Sequence, residues 1–128
     1  DLSPAGRWGE HGCHPGAFRN PHAVWSLPDG RVAVVDRGND RVQIFSEAGG
    51  VLAILDGFVQ PMGIWGEADG SLLVTDCVPS LTRIGPDLSI IGRCRPVADG
   101  AHGLCATTDG TIYLAESGYG RVSRLLPL

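Results

Sequence analysis

Asn20-Pro21-His22-Ala23-Val24-Trp25 recurs as Gln60-Pro61-Met62-Gly63-Ile64-Trp65 and again as Gly100-Ala101-His102-Gly103-Leu104-Cys105, each time at an offset of 40 residues. Three further landmarks keep the same phase. The pair Asp29-Gly30 returns at Asp69-Gly70 and Asp109-Gly110, and the acid after the next apolar run falls at Asp36, Asp76 and Glu116. Arg41-Val42, Leu81-Thr82 and Arg121-Val122 then close the unit. Landmarks that agree in phase mark an internal repeat, in which each unit buries its apolar face on the next.

Within the first unit, Ala23 to Leu27 is a short apolar run that ends at Pro28-Asp29-Gly30. That triplet is turn chemistry, since Pro presets φ and Gly takes the positive φ. Arg31 to Val35 is β-branched and apolar on both faces, as expected of a strand covered on both sides. Arg41-Val42-Gln43-Ile44-Phe45 alternates polar and apolar, and Glu47-Ala48-Gly49-Gly50 turns the chain into Val51 to Leu55. No window keeps a 3.6-residue apolar period for three turns without a Gly or Pro, so helix is disfavoured throughout.

The reading is therefore all-β. A period near 40 with four antiparallel strands predicts β-propeller blades. The units run as a strand and lead-in loop over 1–20, blades over 21–60 and 61–100, and a third blade over 101–128 that lacks its outer strand. The stretch Asp36-Arg37-Gly38-Asn39-Asp40-Arg41-Val42-Gln43-Ile44-Phe45 resembles the D-x-x-N-x-R-[VI]-Q-x-F core of NHL repeats. Trp8-Gly9-Glu10-His11-Gly12-Cys13-His14-Pro15-Gly16-Ala17-Phe18-Arg19-Asn20-Pro21-His22 is similar to the lead-in of such repeats, including those of bacterial NHL-repeat proteins. The second repeat, with Cys77-Val78-Pro79-Ser80, is degenerate.

About three blades are too few to ring a channel, because propellers use about four to eight. The third unit stops at Leu128 without a fourth strand, while Ala5-Gly6-Arg7-Trp8 stands where the fourth strand of a preceding blade belongs. The chain thus reads as half of a six-bladed ring. Either a second copy completes it as a homodimer, or the chain is half of a longer polypeptide; it begins with Asp1, as a processed product or a piece of something longer does.

Composition bounds the partners. Gly (19) and Pro (9) exceed a fifth of the 128 residues, aromatics are 6%, and the formal charge is −4. All ten basic residues are scattered Arg. Nucleic-acid binding needs a basic patch or stripe, and an anionic membrane surface needs basic clusters, so neither is expected. No apolar run approaches the roughly 20 residues of a membrane helix, and a soluble domain is expected. Cys13, Cys77, Cys94 and Cys105 form no C-x-x-C pair. Three disulfide pairings stay open, and with them the compartment.

In an up-and-down blade, the connection into the first strand and the connection between the second and third lie at one end. The first strand of a propeller blade is innermost, so His22, Met62 and His102 are expected around one channel mouth. Asp36-Arg37, Asp76-Cys77 and Glu116-Ser117-Gly118-Tyr119 crown the same face, and the Asp-Gly turns occupy the far face with structural work only. Arg37 and Tyr119 have no evident packing duty there, so a peptide- or protein-binding scaffold is read with Asp36, Arg37, Met62 and Tyr119 at its rim.

The alternative is a metal-dependent lyase. Two imidazoles converging on a channel suit a divalent metal through neutral nitrogens. The resemblance to the peptidyl-α-hydroxyglycine amidating lyase family implies zinc held by His22 and His102 and a catalytic Tyr119 in its Gly118-Tyr119 context. The plainer reading of the same histidines is a ring that hydrogen-bonds a backbone carbonyl. Likewise, the acids ending the second strands either form a rim for a cationic ligand or calcium, or brace their loops. His11 and His14 flank Cys13 in a Gly/Pro loop read as solvated. No G-x-S-x-G, phosphate-cradling Gly loop or H-E-x-x-H is present.

Overall fold

A computed structural model describes residues 1–97 and 99–127. Ala98 and Leu128, the latter the expected end of the third repeat, lie outside the described residues. Among the described residues eleven strands form three antiparallel sheets in sequence order. The first comprises β1 (Pro21–Ser26), β2 (Val32–Asp36), β3 (Arg41–Phe45) and β4 (Val51–Leu55). β5 (Ile64–Gly66), β6 (Leu72–Asp76), β7 (Ser80–Ile84) and β8 (Ile90–Cys94) form the second. The third holds β9 (Gly103–Ala106), β10 (Ile112–Glu116) and β11 (Arg121–Leu125). A 3-10 turn, Arg37–Asn39, is the single helical piece among the described residues.

β1 touches β5 and β5 touches β9, so the first strand of each sheet is innermost, as in propeller blades. Close approach there explains Gly63. A Cβ at this position would lie 2.7 Å from Leu104 Cδ2 and 3.0 Å from Thr75 Oγ1, inside van der Waals contact. The tryptophans at matching places on the inner strands, Trp25 and Trp65, meet with ring centroids 4.6 Å apart.

The ladder corrects one part of the sequence register. Asp36 pairs with Arg41 and Glu116 with Arg121, but Asp76 pairs with Ser80. The loop at 77–79 is one residue shorter than those at 37–40 and 117–120. Ser80-Leu81, not Leu81-Thr82, is therefore the counterpart of Arg41-Val42, because side chains alternate with a period of two and a one-residue slip exchanges faces.

With that register each blade has a forward face toward the next. Ala33, Val35, Val42 and Ile44 of the first blade, all 0% exposed, pack on Ile64, Leu72, Val74 and Ile84 of the second, with Phe58 closing the layer. Each fully buried aliphatic side chain here contributes about 1.5–3 kcal/mol. The other face of the first blade is covered by the lead-in: Phe18 and Trp8 rings lie 5.6 and 6.1 Å from Phe45. Phe18 N–H donates to the Glu10 carbonyl and Gly12 N–H to the Phe18 carbonyl, which folds the lead-in onto itself. The expected strand Ala5–Trp8 has no ladder partner among the described residues. Among the described residues β11 likewise pairs on one side only, and Val122, counterpart of Val42, is 68% exposed.

Candidate functional site

The chain leads into β1 beside the end of β2, where Pro21 pairs with Asp36, and the later blades repeat this through Met62 N–H to Thr75 O and His102 N–H to Ala115 O. His22, Met62 and His102 consequently gather at one end of the inner strands. The imidazoles of His22 and His102 meet edge to face with centroids 4.8 Å apart. His22 Nδ1–H donates to the Met62 carbonyl at 2.9 Å, which orients the ring and leaves Nε2 of a neutral imidazole as a lone-pair donor. Met62, expected at the rim, is buried; it presents its carbonyl to His22 rather than an open thioether. Among the described residues no group of three His, Cys, Asp or Glu side chains is placed to hold a metal ion.

Asp36 also departs from its expected place at the rim. It is fully buried beneath the loop, accepting from Arg19 N–H at 3.0 Å, Asn39 Nδ2 at 2.7 Å and Arg41 Nε at 3.0 Å. Arg41 continues inward to the carbonyls of Cys13, His14 and Ala17, so the pair sews the lead-in to the blade. Asp76 accepts from Ser80 Oγ at 2.8 Å, and Glu116 accepts from both Arg121 Nε and Nη2 at 2.9 Å. The Arg121 fork holds the Glu116 carboxyl below the ordinary carboxylate range and is itself raised in return. All three acids are thus buried braces of their loops.

Half-buried Arg37 and exposed Gln60 and Tyr119 also lie on this face. Arg37 Nη2 reaches Gln60 Oε1 at 3.5 Å and Cys77 Sγ at 4.0 Å, and its Nε is buried without a partner. Tyr119, 59% exposed, lies under the Arg121 guanidinium at 4.8 Å, a cation–π arrangement. Sequence reasoning missed Asp99, whose Oδ2 is the other buried polar atom lacking a partner among the described residues. It sits against Gly118, where a Cβ would collide with the carboxylate. The signal was present as Asp99-Gly100, which reads as one more turn pair.

Elsewhere among the described residues the buried side-chain polar atoms have partners. His14 contacts Glu10 Oε1 and the Pro15 carbonyl at 3.0 Å each, within its own loop. The four cysteines are free thiols. On the opposite end, Asp29, Asp69, Asp87 and Asp109 each accept the N–H two residues on, at 2.8–3.1 Å. A cleft of about 410 Å³ beside Trp65 opens there, but of its charged residues Arg83 and Glu67 already pair at 2.6 Å, and Asp69 accepts the Ser71 N–H.

The NHL repeat family model matches residues 18–45, the first blade from Phe18 through β3. NHL repeat-containing protein 3 of Homo sapiens is 32% identical over 94% of this chain, which spans 39% of that relative. The chain is built from β-propeller blades, the first of which carries the NHL repeat. Among solved structures, the WD40 β-propeller domain of Doa1 superposes with a TM-score of 0.71 at 15% identity, over 88% of this chain and 38% of that one. A catalytically inactive virginiamycin B lyase from Staphylococcus aureus, with quinupristin, gives 0.66 at 14% identity over 88% of this chain and 44% of its own. At such identities these likenesses bear on the fold alone. The NHL signature falls where this chain invests most in its loops, since Asp36, Asn39, Arg41 and Gln43 are the residues of the buried brace.

Proposed function

We propose that the mouth face of this NHL propeller chain is a scaffold surface that binds a peptide or protein. One observation carries the reading. The two buried side-chain polar atoms without partners among the described residues, Arg37 Nε and Asp99 Oδ2, both belong to this face. A buried unpaired donor or acceptor costs roughly 1–3 kcal/mol, and a ligand that supplies the missing partner recovers it. Tyr119 adds an exposed aromatic of the kind enriched at interfaces. Peptides selected on the protein from a displayed library test this: binding should be lost in Tyr119→Ala and kept in Trp65→Ala. The reverse dependence would move the site to the opposite face.

The second reading is the metal-dependent lyase, favoured by the His22–His102 contact and by the carbonyl that fixes His22. The donors suit zinc, yet two imidazoles fall short of the three protein ligands of a catalytic zinc site. Zinc content after loading, compared with the His22→Ala, His102→Ala double variant, decides the metal reading: equal stoichiometry removes it.

Ring completion is part of the same proposal. Tyr113, Ala115, Val122 and Arg124 form a forward face with no blade upon it, whereas its counterpart in the first blade is wholly buried. Two more sources of blades are open, a second copy giving a six-bladed homodimer or further sequence in a longer chain.

A further inference from the structure

Arg37 differs from the arginines that serve the fold. Arg31, Arg41, Arg83 and Arg121 each face a carboxylate within 3.0 Å, and Arg93 donates to Thr82 Oγ1 at 2.7 Å. Arg37 makes no ion pair among the described residues, and its contacts at 3.5 and 4.0 Å are long for a charged donor. The carboxylates on either side of it in sequence are engaged elsewhere: Asp36 accepts from Arg41 in the buried brace, and Asp40 Oδ1 accepts the Gln60 N–H at 2.7 Å. Asp40 and Gln60 both hold left-handed backbone, with φ of 56° and 46°. Their bond ties two strained positions together and fixes the gap between the first and second blades in which the guanidinium sits.

The unpaired Nε and the loosely held Nη2 share one edge of the guanidinium, the side-on edge that accepts a carboxylate with two parallel hydrogen bonds. Gln60 is exposed, so its amide can yield to an incoming oxygen. We propose that Arg37 is the receptor for a carboxylate side chain of an acidic peptide ligand. This rests on the mouth face being the binding surface and names the chemistry taken there. Phosphate would fit the same fork, but a nucleic acid needs a basic patch or stripe to follow its successive phosphates, and the ten arginines of this chain are scattered.

The test is fluorescence polarisation of labelled hexaglutamate, hexalysine and oligouridine at low salt. The variants are Arg37→Gln, Arg37→Lys and Arg7→Gln, the last making the same charge change on the exposed N-terminal stretch. Hexaglutamate should bind the wild type best and weaken roughly tenfold in Arg37→Gln, less in Arg37→Lys, and not in Arg7→Gln. Thermal melting of Arg37→Gln should match the wild type, because no short hydrogen bond is removed. Absence of hexaglutamate binding, equal loss in Arg7→Gln, or tighter oligouridine binding lost in Arg37→Gln would each overturn the proposal. Library peptides that bind the wild type, fail on Tyr119→Ala and ignore Arg37→Gln would overturn it while leaving the mouth-face reading intact.

Discussion

Asp36 and Arg121 show how two similar ion pairs differ in consequence. Asp36 and Arg41 are 0% and 8% exposed at their side chains, so removing the acid strands a buried guanidinium. Asp36→Ala should cost about 3–5 kcal/mol in chemical denaturation, whereas Glu116→Ala, which releases the half-exposed Arg121 to water, should cost less. The acids also set the pH response. Arg31 and Ser71 N–H groups, and the Ser89 and Thr107 hydroxyls, hold Asp29, Asp69, Asp87 and Asp109 below the ordinary Asp value of 3.8. Their folded values lie below the unfolded ones, so their stabilisation is complete above the unfolded value and lost as pH falls through the folded one. Melting temperature should hold from neutral pH to about 5 and drop below about 4. At this scale the sequence was half legible. The bracing role of the strand-ending acids follows from their place before a loop, but whether Asp36 lies above or beneath that loop depends on the lead-in that covers it.

Strands and turns were more readable, because each is set by short-range chemistry repeated three times. What escaped was the shortened loop Cys77-Val78-Pro79, since Leu81-Thr82 and Ser80-Leu81 both suit a strand and only the ladder distinguishes them. The exchange of faces matters energetically. Ile44, wholly buried between the first two sheets, should lose about 2–5 kcal/mol as Ile44→Ala, while Val122→Ala on the open third sheet should be near neutral in the isolated chain. Urea titration of the two variants measures the contrast. If Val122→Ala proves as costly as Ile44→Ala, the forward face of the third blade is already covered in solution.

The whole molecule joins local completeness to an open perimeter. Two neighbouring faces form closed interfaces, yet the third sheet ends at β11 with one unpaired edge. A sheet edge of this kind is a template for another strand. If a second copy supplies Ala5–Trp8 to β11, light scattering will give twice the monomer mass, and deleting residues 1–8 will return the monomer. A monomer in the undeleted protein removes the homodimer. A partial propeller of three blades was foreseeable from 3.2 repeat lengths in 128 residues. What finishes it was not, because pairing between separate pieces leaves no local signature in either.

The Trp25–Trp65 contact gives the ring an optical gauge of its own. Two indoles at 4.6 Å couple electronically, so their near-ultraviolet dichroism reports the spacing of the first two blades without any label. Cys105 holds the third equivalent place and is a free, exposed thiol. A dye attached there would receive energy from the tryptophan pair, and the transfer would follow the third blade as it is capped, opened or joined by another.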